Sequence, residues 1–190
     1  MKLSQLQRYK NKALLLDRDG VINLDKHHVH KIEDFEFIDG IFESCRYFAE
    51  HDFIIIVITN QAGIGRGLYS VEDFFKLDKW MVQQFKINQV EIAKTYHCPN
   101  HPTAGMGEYL GDSFYRKPNP GMIFKAQHDF DLNLKDSILV GDKESDIEAG
   151  VRAGVGTKVL VKSGYPIEGA TKADLTIDSI KDLPSALRLL

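Results

Sequence analysis

The stretch Leu14-Leu15-Leu16-Asp17-Arg18-Asp19-Gly20-Val21-Ile22-Asn23 decides the fold of this chain. An apolar run ends on two aspartates one residue apart, and a glycine follows. The run, Ala13–Leu16, reads as a strand inside a sheet. The acids then stand at the mouth of that sheet, on a turn loose enough for a ligand to come close. Two carboxylates in one small site repel each other, so a site that keeps both holds a cation between them.

Outward from that turn, strands and helices alternate. Gly40 to His51 places Ile41, Cys45, Phe48 and Ala49 on one helical face. Phe53-Ile54-Ile55-Ile56-Val57-Ile58 is continuous and β-branched, as a parallel strand buried on both faces requires. Ser70-Val71-Glu72-Asp73 resembles a capping box, and Phe74, Leu77, Met81, Val82 and Phe85 follow at helical spacing. That stripe reads as core. Further strands are expected at Glu91–Tyr96, Ser137–Gly141, Thr157–Val161 and Asp174–Ile177. Helices are expected after Asn119-Pro120, over Glu144–Ala153 with Gly154 closing it, and from near Pro184.

The pattern predicts an α/β fold: a doubly wound, mostly parallel Rossmann-like sheet with helices on both faces. Ligands in such sheets bind beyond the carboxyl ends of the strands. The polar clusters all fall there: Asp17 and Asp19 after the first strand, Thr59-Asn60-Gln61 after the second, Gly141-Asp142 after a later one.

The 190 residues fit one domain over 1–190 with no separate cap domain. Apolar content of 43% and charged content of 27% describe an ordinary globular chain. A net charge of -3 and the lack of a basic run argue against nucleic-acid and membrane-surface partners. Met1-Lys2-Leu3-Ser4-Gln5 does not resemble a signal peptide, and two cysteines, Cys45 and Cys98, make no disulfide framework. The expectation is a cytoplasmic protein with a small-molecule substrate, favoured as a monomer.

The order Asp-x-Asp, Thr-Asn, Arg116-Lys117-Pro118 and Gly141-Asp142-x-x-x-Asp resembles that of the haloacid-dehalogenase-like phosphatases. The segments Phe35-Glu36-Phe37-Ile38-Asp39-Gly40, Thr59 to Gly67 and Val155 to Val161 resemble the D-glycero-D-manno-heptose-1,7-bisphosphate 7-phosphatase branch, kin of histidinol-phosphate phosphatases. The resemblance runs from about Ala13 to the C-terminus. It implies that Asp17 is the nucleophile and forms an aspartyl phosphate, which splits hydrolysis into two easier steps. Asp19 protonates the leaving alkoxide and then activates water. Mg²⁺ is held by Asp17, the backbone carbonyl of Asp19, and Asp142. Lys117 stabilises charge on the transferring group.

Thr59 and Asn60 stand where phosphate oxygens can be held, although both are also ordinary turn residues. Substrate contacts are expected from Asp25, Lys26, His27, His28, Asn60, Gln61, Arg66, Arg116 and Lys143. The Gly63–Gly67 loop, with Arg66, is either a second-phosphate subsite or a plain turn. Asp146 reads equally as a helix-start carboxylate or as support for the metal. The implied reaction is removal of the C7 phosphate of a heptose bisphosphate, for nucleotide-activated heptose and lipopolysaccharide or another surface glycan. The alternatives are a histidinol-phosphate or other small sugar-phosphate phosphatase, or an inactive phosphate-binding regulator.

The resemblance implies that most relatives carry a structural zinc in the long irregular stretch His97–Lys117. Here the ligand pattern is broken: Cys98-Pro99-Asn100-His101 has asparagine at the histidine position, and Ser113-Phe114-Tyr115 has no cysteine. A closed zinc site needs four side-chain ligands. No structural zinc is expected, and Tyr109, Phe114 and Tyr115 are expected to pack the His97–Lys117 segment instead.

Overall fold

The computed structural model describes residues 10–162 and 169–187. The N-terminal segment read for targeting lies outside them. Six strands form one sheet: β1 (Lys12–Leu16), β2 (Phe53–Asn60), β3 (Ile92–Cys98), β4 (Ile138–Gly141), β5 (Thr157–Val161) and β6 (Leu175–Ile177). Their order is β3-β2-β1-β4-β5-β6, and every pairing is parallel. Leu14 stands beside Ile55 on one side and Ile138 on the other, so β1 is central. The strand order reverses between β1 and β4, and that switch opens the crevice where such sheets bind ligands.

Alternation along the strands divides the core in two. Leu14, Leu16, Ile55, Val57 and Val140 face α1 (Ile41–Glu50) and α3 (Val71–Ile87), against Phe48, Leu77, Met81 and Phe85. Ala13, Leu15, Ile56, Ile58 and Leu139 face α4 (Gly121–Phe130) and α5 (Glu144–Ala153), against Met122, Ile123, Ala126 and Ile147. A strand buried on both faces has no polar side to show, which is why the sequence of β2 is apolar without interruption. The capping box forms as expected: Asp73 N–H donates to Ser70 Oγ at 3.0 Å, and Ser70 N–H donates to Asp73 Oδ2 at 3.0 Å. Gly154, in the left-handed region at φ 75°, closes α5. A short helix, α6 (Leu183–Leu187), ends the described chain. Among the described residues no helix is long and apolar enough to cross a membrane.

Two local expectations need correction. The first is the glycine-rich segment after β2, whose opening is a single helical turn, α2 (Ala62–Gly65), rather than an open loop. Its glycines answer to space. A Cβ on Gly63 would run into the Tyr69 ring, and one on Gly65 into the Pro99 carbonyl.

The second is the long segment after β3, which is not held by packing of Phe114 and Tyr115. These residues are 57% and 48% exposed, Phe114 meeting only Phe124 and Tyr115 among the rings, whereas Tyr109 packs against the small cluster of Ile64, Tyr69 and Phe74. Hydrogen bonds order the segment instead. Arg116 Nη1 donates to the Asn100 carbonyl at 2.9 Å, and Met106 N–H donates to the Gly65 carbonyl at 2.7 Å. His101 Nδ1 accepts from the Thr103 and Ala104 amides at 3.2 and 3.0 Å. In this way Asn100, through its carbonyl, and His101, through its ring, serve the loop as hydrogen-bond acceptors.

Candidate active site

Three neighbouring strands deliver the site at their carboxyl ends. Asp17 follows β1, and its amide donates to the Val140 carbonyl of β4 at 3.0 Å, which ties its backbone into the sheet. Thr59 and Asn60 end β2, and Asp142 follows β4. Between them opens a cleft of about 460 Å³. Asp17, Asp19, Asp25, His27, His28, Thr59, Asn60, Gln61, Arg116, Lys117 and Lys143 all line it, joined by Ala62, Tyr69, Pro118, Ser145 and Asp146.

The two aspartates of the opening turn live in different surroundings. Asp17 is 6% exposed, and Lys117 Nζ lies 2.8 Å from its Oδ1. Asp17, Asp142 and Asp146 each bring one carboxylate oxygen within 4.8 Å of the others. Gly20, at φ 91°, makes this approach possible: a Cβ there would collide with the Asp142 carboxylate. Burial pushes the Asp17 carboxyl up from 3.8 to about 7. Lys117 opposes that rise, and Asp146 and Asp142 add to it.

Asp19 points elsewhere. Arg18 Nη2 donates to both of its oxygens at 2.9 Å, Asn23 Nδ2 to Oδ1 at 3.0 Å and Gln61 Nε2 to Oδ2 at 3.1 Å. The Arg18 guanidinium is itself buried, and the same Nη2 reaches the Val29 carbonyl at 2.6 Å. One carboxylate thus belongs to an acid cluster, and the other is held by neutral and cationic donors. Such a split in environment is how one site assigns two jobs to two carboxylates.

Lys117 sits in a closed cage. Its ammonium donates to Asp17 Oδ1 at 2.8 Å, to Asp146 Oδ1 at 2.7 Å and to the Ile58 carbonyl at 2.8 Å. Burial works against the charge, but the Asp146 and Asp17 carboxylates outweigh it and hold the ammonium above its ordinary range. Asp146 also accepts the Lys143 amide at 3.0 Å, so it starts α5 and supports Lys117 at once. Of the two readings of Asp146, the helix-start carboxylate is seen directly, and its other partner is Lys117.

Several residues expected to touch substrate have other tasks. Asn60 exchanges two hydrogen bonds with the Lys117 backbone, each 3.0 Å, and so fastens the Arg-Lys-Pro turn to β2. Gln61, 2% exposed, gives its amide to Asp19 and to Thr59 Oγ1. Lys26 is not among the residues lining the cleft: its ammonium is drawn to Glu36 at 2.9 Å on the exposed surface. Arg66 does not line the cleft directly but meets His28 Nε2 at 3.1 Å. Burial and then Arg66 lower the His28 pKa. Asp25 pairs with Lys143 at 3.0 Å and accepts the His27 amide at 3.0 Å. His27 and His28 both adopt left-handed backbone at φ 59°, an uncommon state for two consecutive side-chain-bearing residues and one that marks functional turns.

The sequence reading passed over Arg18, Asn23 and Tyr69. Arg18 lies inside the quoted motif, and the only signal available was its place between two acids.

The HAD-hydrolase-like family model matches residues 114–183. The D-glycero-alpha-D-manno-heptose-1,7-bisphosphate 7-phosphatase of Burkholderia mallei is 52% identical over 174 residues, covering 92% of this chain and 92% of that protein. The D-glycero-beta-D-manno-heptose-1,7-bisphosphate 7-phosphatase of Yersinia pestis is 40% identical over 178 residues, covering 93% and 95%. Among solved structures, D,D-heptose 1.7-bisphosphate phosphatase from B. bronchiseptica, complexed with magnesium and phosphate, aligns with a TM-score of 0.82 at 23% identity. That alignment covers 93% of this chain and 98% of that one.

Proposed function

The chain belongs to the haloacid-dehalogenase-like phosphatases, in the branch of the D-glycero-D-manno-heptose-1,7-bisphosphate 7-phosphatases, and from that premise we propose how its single domain works. It removes the C7 phosphate of the heptose bisphosphate, and the α anomer is its preferred form. The observation that carries the mechanism is the division of labour at the cleft: Asp17 with Lys117, Asp19 with Arg18, Asn23 and Gln61.

An Asp17 oxygen attacks phosphorus, the P–O ester bond breaks, and the departing alkoxide takes a proton from Asp19. Asp19, now a carboxylate, takes a proton from water. That water attacks the aspartyl phosphate, releases inorganic phosphate and returns Asp17. Lys117 offsets the charge that gathers on the phosphoryl oxygens, and the Thr59 hydroxyl donates to one of them. The α preference is supported by identity, 52% to the α-named relative against 40% to the β-named one. Phosphate release from both anomers and from histidinol phosphate, side by side with Mg²⁺, tests the proposal. The α-bisphosphate is expected to be fastest, and faster turnover of histidinol phosphate overturns it.

The all-oxygen donor set fits a hard cation. The Asp17 and Asp142 carboxylates, with the Asp19 carbonyl, would hold Mg²⁺, which supplies charge neutralisation between an anionic nucleophile and an anionic phosphate. The loop around Cys98 is proposed to work without zinc. Among the described residues, the acid trio is the one cluster of three or more metal-ligating side chains.

Because burial lifts Asp17 to about 7, a metal must displace its proton below that pH. Mg²⁺ affinity is therefore expected to rise about fivefold from pH 6 to 7 and only about twofold from pH 7 to 8. Calorimetric titration at pH 6, 7 and 8 measures this, and a pH-independent affinity contradicts it. Metal-stripped protein reloaded with Mg²⁺ is expected to carry no stoichiometric zinc.

A further inference from the structure

Gln61 has almost no hydrogen-bonding capacity left for a substrate. Its Nε2 donates to Asp19 Oδ2 at 3.1 Å and to Thr59 Oγ1 at 2.8 Å, and its Oε1 accepts the Tyr69 hydroxyl at 2.5 Å. The amide thus joins the proton-transfer carboxylate to the phosphate-facing hydroxyl. Turned over, it would set a carbonyl oxygen against the Asp19 carboxylate, two acceptors face to face.

We infer that Tyr69 is a positioning residue for catalysis: its hydroxyl locks the Gln61 amide in the one orientation that holds Asp19 and aims Thr59. The Tyr69 ring is built in for this. It is 7% exposed and stacks on His30 with centroids 4.8 Å apart and planes 5° from parallel. It also occupies the space that a Cβ on Gly63 would need. Burial pushes the phenol up to about 12, so it remains a donor throughout the working pH range. Because Thr59 Oγ1 accepts from Gln61, the hydroxyl proton of Thr59 is left to point into the cleft toward a phosphoryl oxygen.

This inference rests on the phosphatase reading, and a double-mutant cycle separates the two. Wild type, Tyr69→Phe, Gln61→Met and the double variant are assayed on heptose 1,7-bisphosphate with Mg²⁺. Tyr69→Phe keeps the ring on which His30 and Gly63 pack. It is expected to lower kcat about tenfold with KM within about twofold of wild type, since one hydrogen bond is lost and no substrate contact changes. In the Gln61→Met background the same change is expected to cost nothing further, because the amide it controls is gone. An equal loss in both backgrounds overturns the inference in favour of simple packing. A rise in KM at unchanged kcat overturns it in favour of substrate contact, and an unchanged Tyr69→Phe enzyme also overturns it. A wild-type protein that releases no phosphate overturns the phosphatase reading itself.

Discussion

Asp17→Asn is expected to lower kcat by more than roughly 10⁴-fold, because a carboxamide cannot attack phosphorus and the remaining groups only bind and orient. No acid-stable phosphoenzyme is expected to accumulate after quenching. The same change is expected to leave the metal-free fold at least as stable as before. Asp17 keeps its proton in the folded chain up to about pH 7, whereas the unfolded chain loses it near 3.8. Its contribution to stability is therefore fully present below 3.8 and is lost as the pH rises to about 7. The rise from 3.8 to about 7 corresponds to about 4 kcal/mol at the upper bound. Lys117 is not stranded by the substitution, since Asp146 and the Ile58 carbonyl still receive its ammonium. Melting curves at pH 8 without Mg²⁺ should place Asp17→Asn level with or above wild type. A variant that melts well below wild type, or keeps measurable turnover, contradicts this account. The expected melting curves would make Asp17 a residue whose function sets its presence against the stability of the fold.

What the sequence made legible follows from how far apart the cooperating residues lie. The strand into Asp17 and Asp19 is local: an apolar run, a turn and a glycine within ten residues carry it. The convergence of Thr59 and Asp142 on the same edge is a rule of parallel sheets, so it needed only the strand boundaries. Amide partners are another matter. Gln61 reaches Asp19 from 42 residues away and Asn60 reaches the Lys117 backbone from 57, and nothing in either neighbourhood distinguishes a substrate-facing amide from a committed one. Arg18 drew no reading of its own between the two acids, since arginine is seldom buried, and tertiary pairing with Asp19 and Val29 makes it a core side chain. Ala62–Gly65 became helical through tight packing on Tyr69 and Pro99, which no turn propensity reports. The elements and the sheet edge where the acids gather were therefore readable, and the supports that orient them were not.

Lys117→Met carries the second large effect, and it strikes stability and activity together. The ammonium compensates two carboxylates at 2.8 and 2.7 Å in a site that is 3% exposed. Removing it leaves the Asp17 and Asp146 oxygens, which lie within 4.8 Å of each other and of Asp142, without the ammonium between them. Breaking a buried pair in this way costs about 3–5 kcal/mol, or about 10 °C in melting temperature for a chain of this size. The loss should be smaller at pH 6 than at pH 8, since one carboxylate can then take up a proton, and added Mg²⁺ should return part of it. Turnover should fall about 10²–10³-fold, as for removal of a preorganised donor to developing negative charge. Lys117→Arg is not expected to rescue either property, because a planar fork cannot reach Asp17, Asp146 and the Ile58 carbonyl from the position of one ammonium. The double variant Lys117→Met/Asp146→Asn separates the two roles. Neutralising Asp146 removes much of the charge imbalance, so more than half of the lost melting temperature should return while turnover stays low. Recovery of both would mean that Lys117 serves the fold alone, and recovery of neither would mean that its cage is not what stabilises this edge of the sheet.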